Sequence, residues 1–172
     1  MSDAQISFNK FHTTIRLDPE DSEILREKRD ILLNNLAAEI DSSAPSHTTF
    51  HQGSYELSTG VNPLNGDPDM DIGIIFDCSP EDYPDPVNLK RFVKKALEHN
   101  NRTIRIRTPC VTVEYLKDDE RVMHIDLAIY CKNSAGVTKL GRGRDSDPAN
   151  TDFRYWETSE PNELNTMILD AF

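Results

Sequence analysis

The stretch that decides the fold is His51 to Asp77, "HQGSYELSTGVNPLNGDPDMDIGIIFD". Its second half alternates. In an extended strand, successive side chains point to opposite faces. Across "DMDIGIIF", Met70, Ile72, Ile74 and Phe76 therefore share an inward face, and Asp69 and Asp71 share the other. Two carboxylates that close repel each other unless a cation lies between them or one stays protonated. The plain alternative is a solvent-facing strand edge, but aspartate is depleted in strands, and two in alternation leading into an apolar run point to a purpose.

The same alternation recurs downstream in "RVMHIDLAIY". Met123, Ile125, Leu127 and Ile129 form the packed face, which leaves Asp126 opposite with His124 and Ala128 beside it. A third carboxylate joins the first two if these strands are neighbours. Three hard oxygen donors with no cysteine or histidine cluster favour Mg²⁺, with Mn²⁺ as a substitute, over zinc. Two such ions, about 3.5–4 Å apart, would activate a hydroxyl and neutralise a leaving pyrophosphate. His124 is read as packing or support on the same face, outside the ligand set. Upstream, Gly53-Ser54 closes a loop before "SYELS", a helix start whose backbone N–H groups and Ser54 hydroxyl would suit phosphate oxygens. A glycine-serine turn is weak on its own and gains weight from its place before the two acidic strands.

Around this centre the chain divides into recognisable elements. "FNKFHTTIRL" predicts a short helix packed through Phe8, Phe11 and Ile15. Asp18 as N-cap, Pro19 in the first turn and Asp21 at the positive end open a longer helix. Its buried stripe is Ile24, Leu25, Ile31, Leu32, Leu36 and Ile40. Asp85 and Pro86 start another helix, with Leu89, Phe92, Val93, Ala96 and Leu97 inside. Residues 103–133 read as two strands around a polar turn, Lys117 to Arg121. Near the end, Ser159 and Pro161 begin a helix with Leu164, Met167 and Ile168 on one face. The chain stops within it, which points to a truncated or split gene product.

At 172 residues, with 37% hydrophobic and 28% charged residues, the composition suits one soluble domain. No apolar run approaches the ~20 residues that span a bilayer, and "MSDAQISFNK" lacks a secretory pattern. Cys78, Cys110 and Cys131 show neither a disulfide framework nor a zinc spacing, so a reducing cytoplasm is expected and no membrane partner. The net charge of −11 argues against tight duplex nucleic-acid binding. Three basic segments, Lys90-Arg91 with Lys94-Lys95, "NRTIRIRTP" and "KLGRGR", read as solvated charge.

The order glycine-serine, DxD on a strand, then a lone aspartate on a later strand resembles the nucleotidyltransferase superfamily that includes DNA polymerase β. "QGSY", the long step from Ser54 to Asp69, "FNKFHTTIRL" before a long helix, "TPCVTVEY" and "YWETSEPNEL" are most similar to the cGAS/DncV-like nucleotidyltransferases of bacterial anti-phage systems. The resemblance covers nearly the whole chain. It implies an α+β, polymerase β-like fold, a twisted mixed sheet backed by helices. It implies Asp69, Asp71 and Asp126 as catalytic residues holding two Mg²⁺ ions, and Gln52, Gly53, Ser54 and Tyr55 along the triphosphate. Residues 1–172 would be the catalytic core, with the family's C-terminal helical domain absent after Phe172. The implied function is synthesis of a cyclic di- or oligonucleotide messenger from NTPs, with a downstream effector binding the product. Transfer of a nucleotide onto a protein or small molecule, and a non-catalytic nucleotide-binding fragment, are the alternatives.

Overall fold

The structure is a computed structural model and describes residues 3–17, 19–63, 68–99, 102–117, 120–145 and 153–171. In chain order the elements are α1 (Asp3–Ile15), α2 (Pro19–Glu39), β1 (His47–Gln52), α3 (Gly53–Glu56), β2 (Asp69–Phe76), α4 (Val87–Leu97), β3 (Arg102–Ile106), β4 (Val111–Lys117), β5 (Glu120–Lys132), β6 (Thr138–Arg142), β7 (Tyr155–Thr158) and α5 (Pro161–Asp170). The strands form one mixed sheet in the order β1-β2-β5-β4-β3, with β6 and β7 continuing from β5. Among the described strands only β2 and β5 pair in parallel; the other pairs are antiparallel. The expected α+β architecture is present.

The alternation read from the sequence sets the two faces of the sheet. Met70, Ile72, Ile74 and Phe76 of β2 are buried, as are Met123, Ile125, Leu127 and Ile129 of β5. They pack with Leu25, Leu32 and Leu36 of α2 and Leu89, Val93, Ala96 and Leu97 of α4 in one core. Burying each such side chain contributes roughly 1.5–3 kcal/mol, so this layer supplies most of the stability. Asp85 takes the part of a cap in the structure: its Oδ1 accepts from the Val87 N–H at 2.9 Å. Asp18 lies outside the described residues. No described helix is long and apolar enough to cross a membrane.

Several local expectations are corrected. The first helix is longer than "FNKFHTTIRL" and buries nothing: Phe8 is 64% and Phe11 59% exposed. Helical spacing put them on a face, but no element of the described chain lies against that face. Ile31 of α2 is likewise exposed, because the stripe that meets the sheet runs through Leu25, Leu32 and Leu36. Residues 103–133 hold three strands rather than two, since Arg107–Cys110 turn the chain between β3 and β4. Strands β6 and β7 were not anticipated. In α5, Glu160 rather than Ser159 takes the N-cap position.

Lys90 is the largest correction. Read as solvated, it is fully buried, and its Nζ donates to the carbonyls of Arg107, Thr108 and Gly143 at 3.0, 2.8 and 3.0 Å. An ammonium has three N–H donors, and here all three are used. Burial pulls its pKa down to about 8, so the group is still protonated at neutral pH. It pins α4 to the turn before β4 and to the end of β6. Lys90→Met should leave the Arg107 and Gly143 carbonyls without this donor, while Thr108 keeps the Gly143 N–H. It should cost about 3 kcal/mol, read as a lower urea midpoint with an unchanged slope.

Candidate active site

The site lies on the sheet face opposite the α2–α4 core. Parallel pairing sets Asp71 level with Asp126 and Asp69 level with His124, so the four side chains share one patch on β2 and β5. Antiparallel pairing sets Gln52 level with Asp71 on the other side. One row across the sheet thus reads Gln52, Asp71, Asp126, Thr112. Neighbouring strands lie about 4.8 Å apart, so the two aspartates of this row are adjacent.

The electrostatics follow from that crowding. Burial, then the charges of Asp69 and Asp126, raise the Asp71 pKa to about 6, and His124 acts in the opposite direction. Asp126 carries a buried Oδ1 with no hydrogen-bond partner. A buried carboxylate oxygen left open is costly unless something else meets it. Behind it, burial and the Asp126 carboxylate push the Cys110 thiol up to about 12, so it stays a neutral packing group. Its Sγ lies 3.5 Å from the Thr112 hydroxyl. Across β4, Glu114 holds Arg105 and Arg107, one on each oxygen, at 2.9 Å.

The turn between β1 and β2 is held from two sides. Gly53 has φ +67, and a Cβ at this position would collide with Oδ2 of Asp71. Both the backbone conformation and the approach of the carboxylate require glycine. From Gly53 the chain makes a single helical turn, α3, in which the Leu57 N–H donates to the Gly53 carbonyl at 3.3 Å. The Ser54 hydroxyl makes no hydrogen bond among the described residues. On the α2 side, Arg26 and Arg29 donate to the Tyr55 hydroxyl at 3.0 and 3.3 Å, and Arg29 also meets His51 at 3.1 Å. On the β5 side, the Tyr130 hydroxyl donates to Oε1 of Gln52 at 3.0 Å.

The structure therefore brings Gln52, Gly53, Asp71 and Asp126 together, with Asp69 next to them on the exposed start of β2. Ser54 follows at the turn, and the Tyr55 phenol is turned to α2. Sequence reading did not single out Arg29 or Tyr130. Continuing the alternation His124, Asp126, Ala128 by one step would have put Tyr130 on the site face; nothing local marks Arg29.

The donor set fits a hard divalent cation: carboxylates on one face, one open buried oxygen and one carboxyl strained by its neighbours. Among the described residues, no three acidic, histidine or cysteine side chains converge on a single point. The carboxylates are thus neighbours without forming a closed cage.

A glycine-serine turn, a DxD strand and a third aspartate on its parallel neighbour define a nucleotidyltransferase core of the polymerase β-like type. The comparisons agree. Residues 47–130 match the family model of the cyclic GMP-AMP synthase DncV-like nucleotidyltransferase domain. The resemblance read from the sequence is borne out over this segment, which matches the DncV-like nucleotidyltransferase domain. Similar solved structures include Vibrio cholerae DncV in its apo form, at 16% identity and TM-score 0.64, covering 94% of this chain and 58% of that one. The same protein bound to 3′-deoxy ATP matches at 14% identity and TM-score 0.66, over 94% and 58%. Its complex with the linear intermediate 5′ pppA(3′,5′)pG matches at TM-score 0.64 and 15% identity, over 94% and 58%. The chain thus spans 58% of the length of these relatives. No curated protein matches the sequence.

The raised pKa of Asp71 makes stability depend on pH. Between about 4 and 6 the folded state binds more protons at Asp71 than the unfolded chain does, so stability falls as pH rises through that window. For a carboxylate still partly open to water, the penalty above pH 6 is on the order of 1–2 kcal/mol. Asp71→Asn should therefore raise the melting temperature at pH 7.5 without metal and leave it nearly unchanged at pH 4. Added Mg²⁺ should raise the wild-type melting temperature at pH 7.5 and raise that of Asp71→Asn less.

Proposed function

We propose that the chain is the catalytic core of a Mg²⁺-dependent nucleotidyltransferase that joins NTPs into a cyclic di- or oligonucleotide messenger. It would act in the cytoplasm, in bacterial anti-phage signalling, with a separate effector reading the product. The single observation that carries the reaction class is the in-register pair Asp71–Asp126 one strand away from Gly53. It sets an open carboxylate pair beside a turn whose backbone can approach a phosphate. Vibrio cholerae DncV, similar in fold, has been solved with 3′-deoxy ATP, with GTP and with a linear dinucleotide intermediate, which supports NTPs as the substrate class.

In this reading Gln52, Gly53, Ser54 and the backbone of Tyr55 line the triphosphate of the donor nucleotide, the Tyr55 phenol being held by Arg26 and Arg29. Gly53 lets the chain approach closely, and Ser54 offers an uncommitted hydroxyl. Asp69, Asp71 and Asp126 hold the cations, which when bound supply charge neutralisation and lower the pKa of the attacking hydroxyl. Asp126, in register with Asp71, would help hold the cation that activates the 2′- or 3′-hydroxyl of the acceptor. The acceptor hydroxyl oxygen gives its proton to solvent and forms the new bond to the α-phosphorus, the bond from the α-phosphorus to the α,β-bridging oxygen breaks, and pyrophosphate leaves. The chain contributes positioning and charge rather than covalent chemistry.

The test is product formation. Native protein is incubated with labelled NTPs and Mg²⁺ or Mn²⁺, then treated with phosphatase, and the products are resolved. A phosphatase-resistant small molecule is expected from the wild type, and at least a thousandfold less from Asp69→Asn with Asp71→Asn, which should remain folded by its melting curve. Activity surviving in the double variant would remove the metal assignment. Label on a protein band would move the reading to nucleotide transfer onto protein.

A further inference from the structure

The face that carries the carboxylates also carries a small second core, separate from the main one. Ala128, Tyr130 and Leu140 are buried there, with Phe50 and Ile75 packed against them. Gly73 makes room for it, since a Cβ at that position would enter the Phe50 ring. Phe50 in turn lies 5.7 Å from the Tyr130 ring, centroid to centroid. A core on this face, next to the carboxylates, calls for an explanation beyond stability.

Its one polar output is the Tyr130 hydroxyl. Tyr130 is 3% exposed, and its ring is fixed by Phe50 and its neighbours. The hydroxyl donates to Oε1 of Gln52 at 3.0 Å and also interacts with the side chain of Ser159, on the far wall of the cleft. A primary amide has an acceptor end and a donor end. With Oε1 held by Tyr130, the orientation of the amide is set, and Nε2 is left with two N–H groups that no described residue accepts. Gln52 is level with Asp71 and immediately precedes Gly53. Gln52, Gly53 and Tyr130 also line an open cleft of 420 Å³, whose far wall is the start of α5.

We propose that Tyr130 is a positioning residue for phosphate: it fixes the Gln52 amide so that its N–H₂ faces the triphosphate. A free glutamine side chain would sample both amide orientations and several rotamers, and an acceptor facing the phosphate would repel it. Fixing the amide in advance removes that entropic and electrostatic cost from binding. The inference rests on the reading that Gln52 lines the triphosphate, and the experiment separates the two.

The experiment measures Mg²⁺-dependent binding of ATP, GTP and inorganic tripolyphosphate to native protein by calorimetry, with melting curves as controls. Tyr130→Phe keeps the ring and its packing and loses only the hydroxyl. It should weaken all three ligands about fivefold to tenfold, the scale of one uncharged hydrogen bond, with the melting temperature little changed. Gln52→Ala should weaken them at least as much, and adding Tyr130→Phe to it should cause no further loss, because the hydroxyl acts through Gln52. Gln52→Glu keeps an acceptor for Tyr130 but removes the N–H donors and should also lose affinity. In steady state, Tyr130→Phe should raise KM and leave kcat nearly constant.

Wild-type affinity in Tyr130→Phe, additive losses in the double variant, or a loss seen with nucleotides but not tripolyphosphate would each overturn the positioning role. If Gln52→Ala binds like the wild type, the reading of Gln52 itself fails, and the proposal with it.

Discussion

Everything at this site depends on one backbone constraint, the parallel pairing of β2 with β5 in the register that sets Asp71 level with Asp126. A slip of one residue would turn Asp126 into the core and bring Ile125 or Leu127 to the site face. The register is enforced from the other side of the sheet. Met70, Ile72 and Ile74 on β2, with Ile125, Leu127 and Ile129 on β5, can be buried together against α2 and α4 only if no odd-numbered slip exchanges the faces. The apolar face thus does more than stabilise the fold: it fixes where two carboxylates that repel each other must stand. The raised pKa of Asp71 is the consequence of that enforcement.

The turn that meets these carboxylates is fixed in a different way. Its backbone is short, and a one-turn helix has little stability of its own. It is tied instead to its surroundings, by Arg26 and Arg29 through Tyr55 and by Tyr130 through Gln52. These anchors come from α2 and from β5, on opposite faces of the sheet. Gly53 is where the two meet, because only a residue without a Cβ leaves room for the Asp71 carboxylate.

How much of this could be read from the sequence depended on the range of the interactions involved. Period-two alternation is local, so the inward faces of β2 and β5 and the shared face of Asp69, Asp71 and Asp126 were legible. The pairing of those strands was only conditional, since no residue in either states its neighbour. Burial of a charge was not legible at all. Lys90 sits among other basic residues in "KRFVKK", and its three carbonyl partners come from two distant segments. Phe8 and Phe11 failed for the converse reason: helical spacing shows which residues share a face, and not whether anything covers it. The strand β3 was merged with β4 because Arg107–Cys110 lack the glycine or asparagine that marks a tight turn.

The distribution of charge then bears on how such a chain could hold a triphosphate. The net charge is −11, and a polyanion approaching the carboxylate face meets repulsion first. The arginines nearest this region are already committed: Arg29 to Asp30 and Tyr55, and Arg105 and Arg107 to Glu114. Lys90 is sealed beneath the opposite side. With its basic side chains used for structure, the face keeps uncharged donors at the Gly53 turn and acids beside them. Uncharged donors orient a phosphate chain but do little to cancel its charge, so under the proposed function cancellation falls to cations held by Asp69, Asp71 and Asp126. On that account, the burial and repulsion that raise the Asp71 pKa and the affinity for a divalent ion are two expressions of one arrangement.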